Sequence, residues 1–204
     1  VEKLLENCLD AANTINLCAS HQKRIVDDIL TLSKLDSNLL AVTPVDEQPI
    51  KVVERALKMF ESELLAHDIE LEFQVDSSFE KHGVEWAKLD PSRLRQIFIN
   101  LMTNAIKFTQ GRERRIIRVS MSASKDISEI TSKGVQYLDR NDIQRTAGMD
   151  IDEEEWGKGE RINIHCAVED TGPGLREDEL KLLFQRFQQA TPRTHVQYGG
   201  SGLG

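Results

Sequence analysis

The sequence predicts an α/β chain led by one long helix. Two patterns carry that expectation. A seven-residue repeat runs through residues 1–40, and helix-period and strand-period stretches interleave after residue 50. Between them "TPVDEQP", residues 43–49, holds two prolines and no periodicity, and reads as a linker and domain boundary.

Residues 1–40 contain neither Gly nor Pro. Val1, Cys8, Ile15, Gln22 and Ile29 form one column, and Leu4, Ala11, Cys18, Ile25 and Leu32 the other. That is a seam for a coiled coil or helical bundle, polar only at Gln22. A helix of about 35 residues runs about 52 Å and cannot bury such a seam on itself, so a partner helix is expected.

A helix is expected from Ile50 to Leu65, with Val53, Leu57, Phe60 and Leu64 on one stripe. "IELEFQV" then alternates Ile69, Leu71, Phe73 and Val75, and "GVEWAKL" reads as a second strand. Asp90-Pro91 starts the next helix, with Asp as N-cap and Pro at the first helical position, and the helix runs to about Phe108. Its apolar face is read as Leu94, Ile97, Phe98, Leu101, Ala105 and Phe108. "RIIRVSM" is a strand. A polar, acidic stretch at about 124–159 reads as a surface insertion. "RINIHCAVED" resumes strand alternation, a helix is expected at about 178–188, and the sequence closes on "YGGSGLG".

Composition excludes some function classes. A net charge of −8 and a pI near 5.2 argue against a nucleic-acid partner, although they leave room for a local phosphate site. No apolar run is long enough to span a bilayer, so no membrane contact is expected of these residues. Cys8, Cys18 and Cys166 lack zinc spacing and are expected as free thiols in a reducing, cytoplasmic setting.

Three segments hold candidate chemistry. In "VEDTGPGL", Ile162, Ile164, Cys166, Val168 and Asp170 share one strand face, so the strand ends on a carboxylate with core-side parity. Such an acid suits an exocyclic amine such as the N6 of adenine, and Gly172 and Gly174 let backbone approach a flat ring. Asp-Thr-Gly-Pro-Gly, residues 170–174, is also good turn chemistry in its own right. Asn100, Asn104 and Lys107, at i, i+4 and i+7, form a polar stripe expected along the edge of the buried face. Two amides and an ammonium suit a hard cation and phosphate oxygens, or simply a solvated helix edge. "GGSGLG" offers glycine backbone of the kind that cradles phosphate, although it is neither a P-loop nor a Rossmann fingerprint.

Taken in order, "NLMTNAIKF", "DTGPGL", "LFQRF" and "GGSGLG" resemble the N, G1, F and G2 boxes of the sensor histidine kinase ATP-binding domain, a member of the GHKL superfamily. The resemblance covers about residues 90–204. Residues 1–40, with "HQKRIVDDILTLSKLDS", resemble the second helix of that family's dimerisation and phosphotransfer bundle. It implies an α+β sandwich, a mixed sheet with helices layered on one face, in an ATP-binding domain over residues 50–204. It also implies ATP and Mg²⁺ as cofactors. Asp170 would pair with the adenine amine, Gly172 and Gly174 would shape the adenine floor, and Phe108 would pack on the ring. Asn104 would ligate Mg²⁺ with Asn100 nearby, Lys107 would contact phosphate, and Gly200, Gly202 and Gly204 would line the triphosphate. Phe184 and Phe187 would anchor a lid. The implied partners are a second copy of the chain, through the N-terminal helix, and a response-regulator receiver domain, and the long insertion extends the resemblance to hybrid kinases.

The sequence also departs from the family. No H-E-x-[RK]-x-P motif is present, and His21, followed by Gln22 and Lys23, sits on what resembles the second bundle helix. The phosphoacceptor histidine is therefore expected outside these residues. A different GHKL ATPase of the gyrase, MutL or chaperone kind, or a nucleotide-binding scaffold without catalysis, are the alternatives.

Overall fold

The computed structural model describes residues 2–37, 39–126, 156–176 and 179. The chain divides into two compact units, with residues 42–174 forming one and the N-terminal helix belonging to the other.

Helix α1 spans Glu2–Asp36 without a break, as a Gly- and Pro-free heptad sequence should. Its seam is open where its side chains are described: Cys8, Ala11, Ile15, Cys18 and Gln22 are exposed, Ile29 is 49% exposed and Ile25 half-buried. No helix among the described residues is long and apolar enough to cross a membrane.

The second unit runs β1 (Val45–Glu47), α2 (Pro49–Lys58), α3 (Glu61–Ala66), β2 (Glu70–Val75), α4 (Ser78–Lys81), β3 (Ala87–Leu89), α5 (Pro91–Thr109), β4 (Ile116–Ser124) and β5 (Asn163–Asp170). Its main sheet has the order β2-β4-β5, with β2 and β4 parallel and β4 and β5 antiparallel, so it is mixed as expected. Helices α2 and α5 pack together, and α5 lies on β4 and β5. The core between these layers holds Val53, Leu57 and Phe60, Phe98, Met102 and Ile106 of α5, and Ile117, Val119 and Met121 of β4. On the other face Arg118 of β4 joins Glu72 of β2 at 2.7 Å and Glu169 of β5 at 3.6 Å, one ion-pair row across all three strands.

Several elements differ from the sequence reading. The helix expected over Ile50–Leu65 is two helices. Met59 and Phe60 donate to the carbonyls of Ala56 and Leu57, three residues back, which tightens the turn and ends α2. Phe60 and Leu64 remain buried with Val53 and Leu57, so the apolar stripe survives the break. The stretch taken as a linker contains β1, which pairs antiparallel with β3 in the register Val45↔Leu89, Asp46↔Lys88. Three residues are too few to show a strand period. "GVEWAKL" contributes only its last three residues, since Gly83 takes a left-handed turn (φ 64), Val84 is buried and Trp86 is 60% exposed. Strand β4 continues to Ser124, which pairs with Asn163 of β5. The long excursion between them thus leaves and rejoins the sheet at neighbouring residues, the arrangement in which an insertion costs least. Of the helix expected at about 178–188, all but residue 179 lies outside the described residues.

Candidate functional site

Helix α5 begins as the sequence predicts. Asp90 is its N-cap, with Oδ1 accepting from Ser92 N at 2.9 Å and Arg93 N at 3.1 Å, and Pro91 occupies the first helical position. Its buried face differs from the reading. Phe98, Met102, Ala105, Ile106 and Thr109 are buried, whereas Ile97 is 60% and Leu101 41% exposed. The helix is therefore rotated about its axis relative to the expected face. At about 100° per residue, Asn100, Asn104 and Lys107 lie about 140–180° from the middle of that face. The polar stripe is on the far side of the helix from the core rather than along its edge. Asn104 is exposed; Asn100 and Lys107 are half-buried.

Strand β5 ends where the period-2 reading placed its acid. Ile162, Ile164, Cys166 and Val168 pack against the core, and Asp170 stands opposite the fully buried Ile117. The carboxylate itself is exposed, so it caps the core face at the rim instead of entering it. Two residues on, Gly172 N donates to Asp170 Oδ1 at 2.7 Å, closing a turn of the Asx kind. A Cβ at Gly172 would lie 2.5 Å from Asp170 Oδ1, 3.0 Å from the Phe108 carbonyl oxygen and 3.1 Å from Phe108 Cβ. Only glycine lets this turn close against the last turn of α5. Gly174 has a different reason, a left-handed φ of 66° with open space around it.

The strand-end acid and the C-terminal end of α5 are thus neighbours through Gly172 and Phe108. Lys107 Nζ sits 5.5 Å from the centre of the Phe108 ring. Burial lowers the Lys107 pKa from its ordinary value. Asn104 and Asn100 follow on the same helix, about 4.5 and 10.5 Å along the axis from Lys107 at 1.5 Å per residue. Gly200, Gly202, Gly204, Phe184 and Phe187 lie outside the described residues. An open depression of about 450 Å³ lined by Leu64, Asp68, Ile69 and Arg115 lies beside the starts of β2 and β4, and no predicted site residue lines it.

Thr171 is a residue that pattern reading missed. Its hydroxyl accepts from Ile116 N at 3.0 Å and donates to Arg114 O at 2.7 Å, pinning the turn to the start of β4. A threonine inside turn chemistry carries no spacing signal for so long-range a role.

Comparison with known proteins gives the family and the fold. A family model described as histidine kinase-, DNA gyrase B-, and HSP90-like ATPase matches residues 89–204, so the chain belongs to that family. Curated relatives include the circadian input-output histidine kinase CikA of Synechococcus elongatus, 27% identical over 98% of this chain and 21% of that protein. The peroxide stress-activated histidine kinase mak2 of Schizosaccharomyces pombe is 30% identical over 99% of this chain and 7% of that protein. The signal transduction histidine-protein kinase BarA of Escherichia coli K12 is 25% identical over 96% and 17%. The chain thus spans about a fifth or less of the length of these relatives. Among solved structures, full-length ShkA in complex with AMPPNP superposes with a TM-score of 0.56 at 21% identity, covering 90% of this chain and 28% of that one. The histidine kinase AdeS of Acinetobacter baumannii gives 0.54 at 19% identity over 91% and 64%. The fold is that of the histidine kinase catalytic domain, the GHKL or Bergerat fold.

Proposed function

We propose that this chain is the ATP-binding catalytic region of a sensor histidine kinase. It binds Mg-ATP and delivers the γ-phosphoryl group to a histidine on a bundle helix outside these residues, from which a receiver-domain aspartate takes it. The observation that supports the reading is the contact of the Asp170–Gly172 turn with Phe108, which sets the strand-end carboxylate beside a helix bearing two amides and an ammonium.

In this reading Asp170 accepts a hydrogen bond from the adenine amine through the oxygen that Gly172 leaves available. Phe108 and the backbone of Gly172 and Gly174 flank the ring. Lys107 meets the phosphates. Its partial desolvation favours taking an anion as partner, since an opposite charge restores what burial costs the ammonium. The donor set fits Mg²⁺: Asn104 is exposed and offers a hard amide oxygen, with the half-buried Asn100 one turn away. No cluster of three His, Cys, Asp or Glu is present among the described residues. When bound, the ion neutralises phosphate charge. Phosphoryl transfer depends mainly on positioning and charge, so Asn100, Asn104 and Lys107 serve both binding and catalysis, while Gly200, Gly202, Gly204, Phe184 and Phe187 are assigned to nucleotide binding. The open α1 seam is the surface through which two copies pair, in the cytoplasm.

The test is incubation of the full-length protein with γ-labelled ATP. Acid-labile, alkali-stable protein phosphate is expected, and Asn104→Asp should abolish it. Steady-state ATP hydrolysis with no phosphoprotein would assign the chain instead to the clamp-type ATPases of the same superfamily.

A further inference from the structure

Asp90 has a second bond that helix capping does not require. While Oδ1 caps α5, Oδ2 accepts the backbone N–H of Thr43 at 3.0 Å, 47 residues away in sequence. Thr43 stands just ahead of β1, in the segment that leads from α1 into the ATP-binding unit. Strand β1 pairs with β3, and β3 ends at Leu89, the residue before Asp90. The incoming segment is therefore fastened to the start of α5 twice, by a three-residue ladder and by one carboxylate. Burial pushes the Asp90 carboxyl up, but the N–H groups of Thr43, Arg93 and Ser92 and the Arg93 charge outweigh it and hold the group below its ordinary value.

We infer that Asp90 is a positioning residue that couples the segment following α1 to the helix bearing Asn100, Asn104 and Lys107, so that displacement of one is felt by the other. The inference rests on the kinase reading, and supplies that site with a mechanical input. A carboxylate suits the task because its two oxygens serve the two elements separately. Asparagine would keep the cap through Oδ1, but its amide nitrogen cannot accept from Thr43 N. Thr43→Pro deletes the donor and leaves the cap untouched.

The experiment compares wild type, Asp90→Asn, Thr43→Pro and the double variant in the full-length protein. Three quantities are read: amide exchange at Thr43 in wild type and Asp90→Asn, which keep that N–H, and in all four proteins Mg-ADP affinity by calorimetry and the initial rate of phosphoryl transfer from ATP to histidine. In Asp90→Asn, Thr43 exchange should rise about tenfold, as loss of a charge-assisted bond predicts. Mg-ADP affinity should stay within about twofold, because asparagine caps as well as aspartate. Both single variants should change the transfer rate in the same direction by about threefold or more, and the double variant should add nothing. Unchanged Thr43 exchange in Asp90→Asn would overturn the inference. So would affinity falling in step with transfer, which would mean that Asp90 acts through the cap alone, or rate effects that add in the double variant. A wild type that binds Mg-ADP and protects Thr43 but labels no histidine would sink the kinase reading while leaving the fastening itself supported.

Discussion

Gly172 meets Phe108 so closely that a methyl group in place of its hydrogen would lie 3.0 Å from the Phe108 carbonyl oxygen and 3.1 Å from its Cβ. The strand-end turn and the last turn of α5 form one surface because of that fit.

Gly172→Ala should therefore displace the turn. The new methyl would also lie 2.5 Å from Asp170 Oδ1, the oxygen that holds the turn closed. Overpacking of this kind costs about 1–3 kcal/mol. Mg-ATP affinity should fall by about tenfold or more, because a shift of 1.4 kcal/mol is a factor of ten. Gly174→Ala meets no neighbour and should lose only about 1 kcal/mol to its positive φ. Urea unfolding and calorimetry on the two variants separate these outcomes.

Thr171→Val keeps the shape of the side chain and removes its hydroxyl. Ile116 N then loses its acceptor and Arg114 O its donor. A loss of about 1–3 kcal/mol in unfolding free energy is expected. A change below about 0.5 kcal/mol, the usual range for an ordinary surface substitution, would show that the hydroxyl does not pin the turn.

Lys107 gives the protein a signature at alkaline pH. Burial lowers its folded value below 10.5, so between that lowered value and 10.5 the unfolded chain binds more protons than the native one. Stability should rise with pH across that window, and Lys107→Met should flatten the slope. Phosphate beside the ammonium acts in the opposite sense, so nucleotide should shrink the same slope. Unfolding free energies measured against pH, with and without Mg-ADP, check both.

The three thiols should react unequally. Burial raises the pKa of Cys166, on β5, to about 11, whereas Cys8 and Cys18 are exposed on α1. At neutral pH an alkylating reagent should reach Cys166 only after unfolding, and should modify Cys8 and Cys18 wherever the α1 seam is unpaired and be slowed there when two copies pair, as peptide mass spectrometry would show. Rapid native modification of Cys166 would contradict the packing of β5.

The legible parts of this molecule were those with a repeated period or a paired signal. Five same-parity residues from Ile162 to Asp170 sufficed to place the acid on the core side, and Asp90-Pro91 marked the start of α5. Period failed where elements were short: β1 and β3 have three residues each, and the break at Met59–Phe60 leaves the apolar stripe in register on both sides. It misjudged α5 because Ile97 and Leu101 are apolar yet exposed, and counting them as core turned the inferred face toward the polar stripe. The tight fit of Gly172 and the reach of Thr171 and Asp90 depend on which elements meet in space, and no local pattern encodes that.

The proposed site makes Asp170 the reader of the base of a purine nucleotide held against α5. Calorimetric titration of Mg-ATP and Mg-GTP into wild type and Asp170→Asn tests it most directly. Wild type should prefer ATP, and the variant should lose that preference through weaker ATP binding. Equal ATP affinity in the two proteins, with the preference intact, would contradict the claim.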